Sequence, residues 1–156
     1  MFENMLAIEL SKMNDNGKLI SFWVEDESQR IGRLNIPHSI WKTIRAASLY
    51  FIDIDFETRL EFILSYYGKF NKEALINAIL RIQKRLGPNE TKTTVNFILE
   101  NNIKDAFRIL LQYYDKTYFK SLQNREELRS QMKKISLTST DATTNYQLLK
   151  QFINQQ

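Results

Sequence analysis

Cysteine is absent from the 156 residues, which removes disulfides, thiolate metal sites and a cysteine nucleophile from this chain. Glycine occurs only at Gly17, Gly32, Gly68 and Gly87, and proline only twice. No G-x-x-x-x-G-K-[ST] phosphate cradle can be written from those positions, and no Gly/Pro-rich linker or low-complexity segment interrupts the chain. His38 is the one histidine, so a histidine metal cluster or an imidazole-based catalytic pair lacks partners. A surface or capping place is expected for it. No apolar run approaches the ~20 residues that span a bilayer. At the start, Phe2, Met5, Leu6 and Leu10 alternate with charged residues at helical spacing, which reads as an amphipathic helix and not a signal peptide. These features predict a cytoplasmic protein with no membrane partner.

What is present is a core-forming composition, 43% apolar and 12% aromatic, with a formal net charge of +4. The charge permits a polyanionic partner without demanding one. Strand candidates at Leu19–Val24, Leu49–Ile54 and Lys134–Leu137 are separated by longer helical patterns. Pro37 opens one helix, Asp55 caps FETRLEFILSYYG before Gly68, and Asn71 caps NKEALINAILRIQKRLG before Gly87-Pro88. From Thr93 to about Leu122 the pattern predicts two helices broken near Asn101-Asn102, and Thr140 or Asp141 caps a last helix. Phe51, Phe56, Phe62, Phe97 and Phe107 are assigned to the core. The expected fold is α/β and helix-dominated, a single domain over residues 1–156 with a small incomplete sheet and a strand-helix extension at about 133–156.

The stretch FWVEDESQRIGR carries the densest chemistry. A strand ending in acidic residues suits magnesium, held directly or through water, although solvated loop charges give the same pattern. Arg30 and Arg33 flank Gly32, where guanidinium forks can meet phosphate and the backbone comes close; local pairing with Glu25, Asp26 or Glu27 is the plainer alternative.

FENML, WVEDES followed by RIG and IP, FETRLEFILSYYG, KRLG and LLQYYDKTY occur in this order. Together they resemble the tRNA 2-selenouridine synthase family, in the second half of its P-loop domain. The resemblance covers roughly Phe2 to Leu122 and its combination of motifs is specific. It implies a bacterial transferase that replaces the sulfur of the wobble 2-thiouridine in tRNA by selenium from selenophosphate, and that is associated with geranyl transfer from geranyl diphosphate. In that family a rhodanese-like domain bearing a cysteine and a Walker A turn come first; neither motif is in this chain. The chain is therefore expected to be a piece of such an enzyme, inactive alone. Alternatives are a stand-alone helical RNA- or protein-binding module and a P-loop nucleotide hydrolase remnant.

The resemblance implies a donor-phosphate site at Ser28, Arg30, Gly32, Arg33 and Arg45, with Glu25, Asp26 and Glu27 as magnesium ligands. No cofactor is assigned to this chain itself; magnesium would belong to the complete domain. For tRNA, Arg81, Lys84 and Arg85 form a basic cluster, although cations in a last helical turn also suit the macrodipole without any ligand. Tyr113, Tyr114 and Lys116, beside Tyr118, are either core and rim residues or a platform for an unstacked base. No catalytic residue is assigned. With the Walker A strand absent, Leu19–Val24 and Leu49–Ile54 are expected to lose a common neighbour, leaving Glu25 and Asp26 in an open groove near Arg30 and Arg33.

Overall fold

The computed structural model describes residues 2–12, 22–26, 28–123 and 132–154. They fall into two compact units, Met1–Leu49 and Tyr50–Gln156.

The first unit carries α1 (Phe2–Lys12), a hairpin of β1 (Arg30–Ile31) and β2 (Leu34–Asn35), and α2 (His38–Ala46). None of its described residues is buried. Of the strand expected at Leu19–Val24, residues 19–21 lie outside the described ones, and Phe22 to Asp26 hold no regular structure. An apolar run becomes a strand only when its backbone finds a ladder, and Phe22, Trp23 and Val24 are exposed instead. Pairing occurs further on, Arg30 opposite Asn35 and Ile31 opposite Leu34. Gly32 begins the two-residue loop at φ +60°, and Arg33 keeps a negative φ, the pattern of a type II′ turn that matches strand twist. His38 is exposed at the start of α2, after Pro37 at the cap.

The second unit is built from β3 (Leu49–Ile54), α3 (Phe56–Tyr67), α4 (Lys72–Leu86), α5 (Pro88–Leu99), α6 (Ile103–Gln123), β4 (Met132–Leu137) and α7 (Ala142–Asn154). Caps set the helix starts. The Asp55 carboxylate accepts from the Thr58 backbone N–H at 3.0 Å, and Asn71 accepts from that of Ala74 at 2.7 Å. Gly87, at φ +98°, closes α4 and lets Pro88 open α5 at once, so this helix starts five residues before the expected Thr93. Asn101, at φ +63°, turns α5 into α6.

Leu75, Ile79 and Leu86 of α4 recur at helical spacing and bury against Leu60, Ile98, Ala106, Phe107 and Leu111. Thr91 and Thr94 are also buried, their hydroxyls donating to the carbonyls of Gly87 and Glu90, both at 2.6 Å, so neither hydroxyl is stranded. Of the phenylalanines assigned to the core, Phe107 is buried in the core cluster, and Phe56 and Phe97, partly buried, pack against that cluster. Phe62 is exposed: it stands two residues from Leu60, across the helix from the buried stripe. β3 hydrogen-bonds to β4 in a two-stranded sheet. Phe51 meets Tyr118 and Phe119 of α6, whereas Tyr50 meets Phe152 of α7 edge-on at 6.5 Å; alternate β3 residues thus serve opposite faces. The fold is a helix-dominated α/β arrangement with little sheet. Among the described residues no helix is long and apolar enough to cross a membrane.

Candidate nucleic-acid interface

The charged stretch is organised by the hairpin. Ile36 N–H donates to the Gln29 carbonyl at 2.8 Å and the Gln29 amide returns to the Ile36 carbonyl at 2.9 Å, which clamps the hairpin base. Ser28 Oγ donates to the Arg30 carbonyl at 2.6 Å, and Arg30 Nε donates to the Gly32 carbonyl at 3.1 Å. Arg30, Gly32 and Arg33 are all exposed, and Arg33 makes no ion pair among the described residues. Two guanidinium groups thus stand beside a tight, solvent-facing turn.

Asp26 is half-buried. Its Oδ1 accepts from Arg45 Nη1 at 3.4 Å, and the Arg45 guanidinium lies 5.1 Å from the Trp41 ring centroid. Arg45 is therefore held within its own unit by a carboxylate and an aromatic ring. Glu25 is exposed, and Glu27 lies outside the described residues. Among the described residues no group of three acidic or histidine side chains could hold a metal ion. Of the three acidic residues, Asp26 faces the Arg45 cation in this structure.

Arg81, Lys84 and Arg85 are exposed on α4, and their spacing of three and four residues sets Lys84 and Arg85 each beside Arg81 on one face. None has an ion pair among the described residues. The tyrosines divide. Tyr113 packs against the core, while Tyr114 is 59% exposed and lies nearly parallel to Tyr118, 7° between planes and 6.1 Å between centroids. Tyr118 in turn stacks on Phe51 at 6.1 Å, and Lys116 is exposed on the same helix.

Sequence reasoning missed the clamp that locates this aromatic row. Arg59 donates in a fork to both Asp115 oxygens, at 2.7 and 2.8 Å, and through Nε to the Ile54 carbonyl at 2.9 Å. The end of β3, the start of α3 and the middle of α6 are thereby tied together. The Asp115 hydrogen bonds push the Arg59 guanidinium further above its ordinary range. On the exposed side of the same helices Arg108 binds Glu57, lowering the Glu57 carboxyl mainly through that hydrogen bond, and Lys104 binds Glu61. Both clamp partners lie in segments noted for their motifs, FETRLEF and QYYDKTY, but residues 56 apart give no pairing signal in one sequence. Also missed was an exposed aromatic run at the end of α3, of Phe62, Tyr66, Tyr67 and Phe70.

Fold and surface define a helix-dominated α/β region that presents arginine, lysine and aromatic side chains to solvent. The chain belongs to the tRNA 2-selenouridine synthase family, whose AAA domain matches residues 1–147. Its relatives include the tRNA 2-selenouridine synthase of Aeromonas salmonicida strain A449, 30% identical over 155 residues, with 81% of this chain and 42% of the relative covered. That of Pseudomonas savastanoi pv. phaseolicola is 28% identical over 148 residues, covering 75% of this chain and 40% of the relative. That of Nitrosomonas eutropha is 35% identical over 98 residues, covering 63% and 24%. The chain spans about two fifths of the length of the first two. No solved structure matches.

Proposed function

We propose that this chain is the donor- and tRNA-binding part of a tRNA 2-selenouridine synthase, the second half of a P-loop-type domain, and lacks activity alone. The observation that carries the reading is the family match across residues 1–147, which takes in both the arginine hairpin and the basic helix end. The reaction served is exchange of sulfur for selenium, and geranyl transfer, at the wobble 2-thiouridine. Selenophosphate and geranyl diphosphate are both anionic, and planar forks beside a glycine turn suit their phosphate oxygens. Arg30 and Arg33 bind the anion, Gly32 admits it to the backbone, and Ser28 braces the turn through the Arg30 carbonyl. Arg45, held by Asp26 and Trp41, is a positioned cation that a stronger anion can draw away. Arg81, Lys84 and Arg85 meet tRNA phosphates. Tyr114 and Lys116 take an unstacked base and its phosphate, with Tyr113 supporting α6 from the core.

Titrating a tRNA transcript across a salt series tests the tRNA surface. The variant Lys84→Glu/Arg85→Glu is expected to bind more weakly, with the log–log salt slope reduced by about two. Equal curves for both proteins remove this surface from the reading. Incubation of the chain with thiolated tRNA and selenophosphate is expected to yield no 2-selenouridine; its formation overturns inactivity alone. A second reading, a stand-alone helical RNA-binding module, is favoured by the self-contained α3–α6 core. It predicts tRNA binding without any effect of Arg30→Ala/Arg33→Ala on the activity of a synthase carrying those changes.

A further inference from the structure

We infer that the aromatic run at the C-terminal end of α3 is a second RNA contact, a stacking surface for unpaired nucleobases; it rests on the tRNA-binding reading above. Phe62, Tyr66, Tyr67 and Phe70 are 47%, 65%, 45% and 54% exposed. They form a continuous row: Phe62 and Tyr66 lie 25° from parallel at 6.3 Å, Tyr66 meets Tyr67 at 5.4 Å, and Tyr67 meets Phe70 at 5.7 Å. The helix fixes the first three rings, and Phe70 N–H donating to the Tyr67 carbonyl at 3.0 Å fixes the fourth. Leu60, Ile63 and Leu64 of the same helix supply the core, so these rings are surplus to it.

Charge selects the occupant. The acids of α3 are neutralised, Glu57 by Arg108 and Glu61 by Lys104. Glu73 sits in the first turn of α4, against the positive end of that helix. Lys69 and Lys72 remain, neither in an ion pair among the described residues, with Lys72 Nζ on the Leu99 carbonyl at 2.7 Å. Rings flanked by unneutralised lysines fit a polyanion that carries flat bases, since stacking takes any base and the lysines take phosphate. The Tyr66 and Tyr67 hydroxyls, without partners among the described residues, are free for ribose or phosphate oxygens.

Fluorescence anisotropy with a labelled oligouridine decamer and with a tRNA transcript tests this. Tyr66→Ala/Tyr67→Ala should weaken decamer binding about tenfold at unchanged salt slope, because lost stacking releases no counterions. Tyr66→Phe/Tyr67→Phe should retain most of it, since the rings stay and only the hydroxyl contacts are lost, and Lys69→Glu should lower the slope. Tyr66→Ser alone, with an unchanged melting temperature, guards against misfolding. Wild-type decamer affinity in Tyr66→Ala/Tyr67→Ala overturns the inference, as does concentration-dependent sedimentation abolished by that variant, which assigns the row to a second copy. If the aromatic variant loses the decamer while Lys84→Glu/Arg85→Glu leaves tRNA binding intact, the stacking surface stands and the α4 surface fails. The reverse pattern rejects the stacking surface and keeps α4.

Discussion

Asp55 and Asp141 do the same work at the starts of α3 and α7, each accepting the backbone N–H of the threonine three residues on, at 3.0 and 2.8 Å. Hydrogen bonds from Thr58 and Thr144 hold both carboxyls below the ordinary aspartate value. A lowered folded-state pKa means stability that is complete above the unfolded value, about 3.9, and is lost as pH falls through the folded value. Asp55→Asn/Asp141→Asn keeps a capping acceptor, so its melting temperature at pH 7 should stay within about 2–4 °C of wild type. Below pH ~4 it should show a shallower acid dependence; identical acid slopes in a melting series would refute the assignment. The Arg59–Asp115 clamp is more sheltered, with both side chains mostly covered. Asp115→Ala leaves Arg59 without its fork and should cost about 1.5–3 kcal/mol in urea unfolding. A loss no greater than an exposed pair gives, under about 1 kcal/mol, would demote the clamp to a surface contact.

Two adjoining helices share Gly87, which is the C-cap of α4 and the N-cap of α5. Its φ of +98° disfavours any side chain, and an added Cβ would stand 3.0 Å from Glu90 Oε2. Gly87→Ala should therefore destabilise by about 1 kcal/mol or more, read as a lower urea midpoint at unchanged m. The starts of α3 and α4 were legible because capping is local: Asp55 and Asn71 act within four residues of themselves, whereas Gly87-Pro88 was read only as the end of α4 and not as the start of α5. The hairpin was not. Its strands are two residues each, too short to show alternation, and the acidic run beside it pointed to a strand end. Leu60 is completely enclosed in the core. Leu60→Ala should lose about 2–5 kcal/mol, the range for leucine truncation in a close-packed core.

Across the chain the buried residues are unevenly spread, all of them lying from Leu60 onward among the described residues. Slow amide exchange follows buried, cooperative helices. Hydrogen exchange read by mass spectrometry should find the strongest protection in α4, α5 and the first half of α6, and weak protection in α1 and the β1–β2 hairpin. Protection in the hairpin equal to that in α5 would contradict this distribution.

The sequence by itself determined the helices that follow Asp55 and Asn71 with their caps, the break near Asn101-Asn102, the α/β class and the family, because propensity, period and motif order are properties of neighbouring residues. It also singled out Arg30, Gly32, Arg33, Lys84 and Arg85 as candidates for the proposed anion and tRNA contacts. Only the tertiary structure decided that Arg45 meets Asp26, that Arg59 is clamped by Asp115, and that Tyr113 turns to the core while Tyr114 does not. It moved Phe62 from the core to the surface for the same reason: neighbours within a helix share its period, but which stripe is covered depends on helices brought together from far along the chain.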